Sequence, residues 1–207
     1  MNRPSSQAGW AVHGVVHFAG GRAPRMRTTQ YVQTVTLGVL SALVSEPRDE
    51  SPVDRALRHD RIVQRAIARY GSVVPFRAGT VLESVEAVVQ LLDSNTGLLV
   101  LQLARFTNRV EMGLKAAFDP TVTTALDRQA FDHWVARSLS QLADERRERV
   151  QDVGNKAIFD AAYLMSLERV AEFCAAVREG RSRHPSVPVI VTGPWAPYSF
   201  CDFALSV

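Results

Sequence analysis

Anion capture and metal ligation are the two kinds of chemistry that single residues in this sequence invite, and spacing tests both. Arg77-Ala78-Gly79-Thr80 stands between a short apolar run, SVVPF, and a helical pattern. Backbone N–H donors and one guanidinium at such a corner can meet an anion. The same residues also suit a plain turn, with Gly79 at the bend, Thr80 capping and Arg77 paired to a nearby carboxylate. Neither GxxxxGK[ST] nor GxGxxG occurs, so the run of N–H groups that cradles a nucleotide phosphate is missing. His13 and His17 lie four apart in an extended run, which puts them on one face but roughly 13 Å apart at strand rise. They cannot share one metal unless that segment bends. His59, His133 and His184 are isolated, and no HExxH or Cys/His cluster is present. GxSxG is missing too, while Cys174 on the inward side of a helix and Cys201 near the end have no evident base. Adjacent His59 and Asp60 project about 100° apart on a helix and do not face each other. His59 reads as a boundary residue of a buried face. These residues predict no catalytic site, no cofactor and no metal.

A different kind of candidate closes the sequence. Val191 to Phe200, VTGPWAPYSF, packs two prolines, a glycine and three aromatic residues directly behind a strand pattern. Proline fixes φ, and aromatic rings bring large apolar area at low entropy cost, so the segment is stiff and greasy. Trp195, Tyr198 and Phe200 are therefore candidate partner contacts on a ledge framed by Gly193, Pro194 and Pro197. The alternative is a tail docked on its own domain.

The elements that must position these residues follow from periodicity. Trp10 to Phe18 reads as a strand stopped by Gly20 and Gly21, and Tyr31 to Val44 as two strands about Gly38. Ser51 and Pro52 predict a helix start, and Ala56, His59, Val63, Ala66, Ile67 and Tyr70 a single helical face ended by Gly71. Ser72 to Phe76 follows as an edge strand, because Pro75 cannot donate to a ladder. From Glu83 to Phe106 the spacing is helical, with Asn95 to Gly97 as the candidate break, and Val110 to Phe118 alternates as a half-buried strand. A helix is expected from Asp127 to Val150, ending in the exposed run DERRER, then a strand over Ala157 to Met165. A helix over Ser166 to Arg181, with Leu167, Val170, Phe173, Cys174 and Val177 inward, and a strand over Val187 to Thr192 complete the pattern. This order predicts an α+β protein of two small domains, residues 1–106 and 107–207, with the boundary between Arg105 and Asn108; a seam near Thr80 also fits.

Composition narrows the function classes. The 207 residues are 46% hydrophobic and 22% charged, an ordinary globular mixture. Of the 24 basic residues all but Lys115 and Lys156 are arginine, yet they are scattered and the net charge is only +3, so no phosphate-tracking stripe and no nucleic-acid partner is expected. The start, MNRPSSQAGW, lacks the apolar core of a signal peptide, and GLLVLQLARF meets Arg105 too early for a membrane span. Two cysteines do not make a disulfide framework, so the expectation is a cytoplasmic protein without a membrane partner.

HDRIVQRAIARYGSVVPFRAGT, VEMGLKAAFD, AAYLMSLERVAEFCAAV and VTGPWAPYSF stand in an order that resembles the successive blocks of the gas vesicle protein GvpL/GvpF family. The resemblance covers most of Asp54 to Phe203; the N-terminal third is similar in pattern. It implies two α+β domains, the C-terminal one a modified ferredoxin-like fold with a helical extension, here shortened because Asp119 to Ala157 leaves room for about one long helix. It also implies a noncatalytic accessory protein of gas vesicles, hollow protein-walled flotation organelles. Such a protein would bind the small hydrophobic shell protein GvpA and other accessory proteins, assist assembly, and in one version of the role stay in the vesicle as a minor structural component. A soluble carrier suits a shell subunit whose water-repelling face would otherwise aggregate. The competing reading is a small-molecule-binding or catalytic α+β protein with an anion site at the Arg77 loop. A pocket of converging polar groups beside Arg77 would favour it.

Overall fold

A computed structural model describes residues 9–18, 26–27 and 31–201. The turn expected at Gly20 and Gly21 lies outside them. Two compact units emerge: one from the described residues up to Thr107 together with Cys201, the other over Asn108–Phe200.

The first unit opens with strands β1 (Trp10–His17), β2 (Met26–Arg27), β3 (Tyr31–Leu37) and β4 (Leu40–Ser45). Leu37 and Leu40 pair across a two-residue turn at Gly38 and Val39, where Gly38 takes φ +57°. Helix α1 (Pro52–Tyr70) begins where Ser51 Oγ accepts the Asp54 N–H at 3.1 Å, and it ends at left-handed Gly71, whose N–H reaches the Ile67 carbonyl at 2.8 Å. Strands β5 (Val74–Pro75) and β6 (Val81–Leu82) flank the loop that carries Arg77. Helices α2 (Val85–Ser94) and α3 (Thr96–Arg105) meet at a 75° bend, where Asn95 and Thr96 side chains donate to the carbonyls of Leu91 and Leu92. The sheet runs β2-β3-β4-β1-β5, with β6 also on β1, and every pairing is antiparallel. The central strand β4 is buried along its whole length and β1 from Ala11 to Val16, so both faces of the sheet centre are covered. Among the described residues no single helix is long and apolar enough to cross a membrane.

The second unit strings together β7 (Arg109–Phe118), α4 (Ala125–Trp134), β8 (Glu145–Val153), β9 (Lys156–Ser166), α5 (Val170–Arg183) and β10 (Val189–Trp195). The antiparallel sheet order β10-β7-β9-β8 on this βαββαβ chain is the ferredoxin-like arrangement. Val110, Met112, Leu114, Ala116 and Phe118 turn to one face with Phe159, Ala161, Tyr163 and Met165, beneath Phe131, Trp134, Leu139, Phe173 and Val177 of the helical layer. Gly180 of α5 lies against the Trp134 indole, and a Cβ there would overlap the ring.

The long helix expected over Asp127 to Val150 is corrected by the structure. Helix α4 loosens into a π-helical turn at Val135–Leu139 and a 3-10 turn at Ser140–Leu142, and DERRER enters strand β8. Gly154 and Asn155 close a tight hairpin between Val153 and Lys156, and Arg149 then lies opposite Asp160, donating to it at 3.0 Å. Cross-strand partners outweigh the helix propensity of Glu and Arg. A second correction concerns Leu167, expected inward: it sits in a 3-10 turn before α5 and is 54% exposed.

Candidate functional site

Strand β10 is an edge strand whose pairing with β7 shifts register between Thr192 and Trp195. Ile190 faces Lys115 and Thr192 faces Gly113; strict alternation would then bring Pro194 opposite Glu111. The extra residue places Trp195 there instead. The bulge thus re-aims the indole onto the same side as Ile190, the face opposite the helices. Gly193 makes this possible: its φ is +109°, and a Cβ would come within 2.7 Å of the Glu111 carbonyl oxygen. The Gly193–Pro194 peptide is cis. Ile190 is 61% and Trp195 40% exposed.

Beyond Trp195 the chain turns back onto its own unit. Ala196 and Pro197 are buried, and Tyr198–Phe200 forms one 3-10 turn. Ser199 donates to both carboxylate oxygens of Glu111, through its N–H at 2.8 Å and its hydroxyl at 2.7 Å. Burial pushes the Glu111 carboxyl up from its ordinary pKa, and the Ser199 hydrogen bonds pull it partly back. Phe200 is 1% exposed, with the Arg147 guanidinium 5.3 Å from its ring centroid. The three aromatic candidates therefore separate: Trp195 is exposed, Tyr198 half-buried, and Phe200 anchors the segment.

The Arg77 loop is a closed turn. Gly79 takes φ +93°, and the Thr80 amide and hydroxyl both donate to the Arg77 carbonyl, at 3.1 and 2.8 Å. Arg77 does not line the neighbouring cavity, whose lining includes Arg48, Glu50, Arg55, Arg58, His13 and His59 along with Gly79 and Thr80. Two expectations change here. His13 and His17 do not share an environment, because a bulge between Val12 and Gly14 leaves His13 buried and His17 exposed. His59 is no boundary residue but is 3% exposed, its Nδ1 3.1 Å from His13 Nδ1. The contact joins residues 46 apart in the chain, a separation that local spacing does not reveal.

Hydrogen-bond logic assigns the protons in this cluster. Arg58 only donates, and its Nη1 reaches Ser45 Oγ at 3.1 Å while Nε and Nη2 grip Glu50. Ser45 therefore gives its own proton to His13 Nε2, 2.9 Å away. Neutral His13 then carries its N–H on Nδ1 and donates to His59 Nδ1, leaving the His59 proton on Nε2. A proton added to His59 Nδ1 would face another N–H. Burial, then the adjacent His59 and Arg58, pull His13 down to about 3; burial also lowers His59, against a backbone hydrogen bond with Phe76.

Below pH 6.5 the unfolded chain takes up a proton that folded His13 refuses until about pH 3, so stability falls as pH falls through that window. Between pH 8 and pH 5 His13 alone should cost about 2 kcal/mol. Glu111 acts in the opposite sense, since its raised pKa favours the folded state on acidification. The measurement is urea unfolding at pH 8, 6 and 5 for the natural chain and His13→Gln. The variant should show the shallower loss, and equal slopes would refute the assignment.

Among the described residues no group of three or more His, Cys, Asp or Glu is placed to hold a metal ion. Cys174 and Cys201 both remain thiols and are half-buried.

The family model described as "Gas vesicle synthesis protein GvpL/GvpF" matches residues 12–133 and 124–202. Gas vesicle protein F2 of Halobacterium salinarum is 29% identical over 174 residues, covering 82% of this chain and 79% of its own. Gas vesicle protein L of a Streptomyces species is 26% identical over 237 residues, covering 91% and 86%. The crystal structure of the gas vesicle protein GvpF from Anabaena superposes with a TM-score of 0.78 at 19% identity, covering 95% of this chain and 97% of that one. GvpF from Microcystis aeruginosa gives 0.77 at 18% identity, covering 95% and 100%. At these identities the two structures speak for the fold, and they share this chain's two-sheet α+β architecture.

Proposed function

Since this chain belongs to the GvpL/GvpF family of gas vesicle synthesis proteins, we propose that it is a noncatalytic assembly protein that binds the hydrophobic shell protein GvpA at the gas vesicle. One observation carries the reading. The C-terminal segment presents Trp195 to solvent on a short, stiff support whose neighbours Ala196, Pro197 and Phe200 are buried and whose turn is tied to Glu111. An exposed indole held in this way loses little entropy on contact, which is how a few residues come to dominate an interface. Ile190 on the same face, about 13 Å away by the strand repeat, lengthens the apolar strip. A strip of this kind can cover part of a shell subunit's apolar face and release it again.

The test is co-purification with GvpA. Trp195→Ala should weaken capture by about 2 kcal/mol, roughly thirtyfold. Tyr198→Ala should weaken it less, and Phe200→Ala should lower stability before it lowers capture. Natural-chain capture by both Trp195→Ala and Tyr198→Ala would remove the ledge from the account. No association with any product of the gas vesicle gene cluster would remove the carrier role itself.

A further inference from the structure

The cavity beside the histidine pair, about 160 Å³ in volume, lies in the first unit and plays no part in the C-terminal ledge. Three arginines, Arg48, Arg55 and Arg58, line it together with one acidic residue, Glu50, whose carbonyl accepts from Arg55 Nη2 at 3.3 Å. Both Glu50 carboxylate oxygens are committed to Arg58, at 3.1 Å from Nε, with a further contact from Nη2 at 2.5 Å. None of the described carboxylates forms an ion pair with Arg48 or Arg55. With both histidines neutral, the lining keeps two uncompensated positive charges. Gly79 leaves the loop side open: a Cβ there would stand 3.7 Å from Arg55 Nη1, in the space beside that guanidinium.

We propose that this cavity is a binding site for a small free oxyanion, a phosphate or carboxylate group, held between Arg48 and Arg55 with Arg58 at its inner wall. The volume equals that of about five waters, enough for such a head group and too little for a folded segment of a partner. Guanidinium forks match the geometry of both anions, and a wall that includes buried Arg58, His13 and His59 weakens solvent screening. The Arg77 side chain is no part of the site, although the turn it begins supplies the Gly79 opening. The proposal stands apart from the assembly role, since it uses neither Trp195 nor the second unit.

Titration of the purified chain with inorganic phosphate, and separately with acetate, at ionic strength held constant with sodium chloride, tests it by calorimetry and thermal melting. At least one anion should bind saturably and raise Tm, and the one that binds distinguishes a phosphate from a carboxylate ligand. The Arg48→Ala/Arg55→Ala double variant, which alters an exposed and a half-buried side chain, should keep its circular dichroism and weaken binding at least tenfold. Absence of saturation by both anions beyond the chloride control would overturn the proposal. So would natural-strength binding by the double variant.

Discussion

Replacing Phe131 by alanine should remove about 4 kcal/mol from the stability of the C-terminal unit. The ring is 0% exposed and sits among four others: Trp134 at 5.3 Å, Phe118 at 5.4 Å, Phe159 at 5.9 Å and His184 at 6.0 Å between centroids. Three of these contacts are edge-on, the geometry that aromatic quadrupoles favour. Truncation loses the transfer free energy of the ring and leaves a cavity. Its walls come from β7, β9 and α4, and backbone hydrogen bonds keep those elements from collapsing into it. Phe131→Leu keeps most of the volume and should cost under about 1.5 kcal/mol. Urea unfolding followed by fluorescence reads both, with an unchanged m-value certifying that the native state is the same. A loss below about 1.5 kcal/mol for the alanine variant would mean that the core is not organised about this ring.

The second large effect lies in the other unit. Glu50→Ala should cost about 3 kcal/mol, because it leaves the Arg58 guanidinium, whose side chain is 9% exposed, without its counter-charge. The penalty comes from the stranded cation more than from the lost attraction. It should be smaller in Glu50→Gln, which retains an amide oxygen to accept a hydrogen bond. Arg58 also donates to Ser45, and Ser45 to His13, so the stranded charge stands beside the histidine pair and should keep His13 neutral, leaving the pH dependence of unfolding at least as steep. A change within about 0.5 kcal/mol would show that water reaches the pair and screens it.

What the sequence disclosed, and what it withheld, follows the range of the interactions. Helix α1 is legible end to end because its signals are local: Ser51 accepts from three residues on, Pro52 fits the first turn, and Gly71 stops it. The inward residues Phe131, Trp134, Val135, Leu139 and Leu142 are legible for the same reason, and all are buried. The run after Leu142 misleads because what makes DERRER a strand is β9, reached through the Gly154–Asn155 turn. That dipeptide was the available signal. In the candidate sites the limit is similar. Aromatic and proline content marks the Trp195 segment, but no composition separates exposed Trp195 from buried Phe200, which depends on a bulge and on Glu111 some 88 residues upstream. The cluster of His13, Ser45, Arg58 and His59 is assembled by β1, β4 and α1 together, and no single window contains it.

The two borders of the ferredoxin-like sheet bear on how copies of this protein behave when crowded. Strand β8 lines one border with ERRER, and at the other Arg181 occupies the Val189 carbonyl at 2.7 Å while the bulge between Thr192 and Trp195 interrupts the regular ladder. Neither border offers a clean template for an incoming strand. Neighbouring molecules at high local density are thus kept from zipping into a shared ribbon, and a visitor must approach broadside, where its own apolar side chains decide whether it stays.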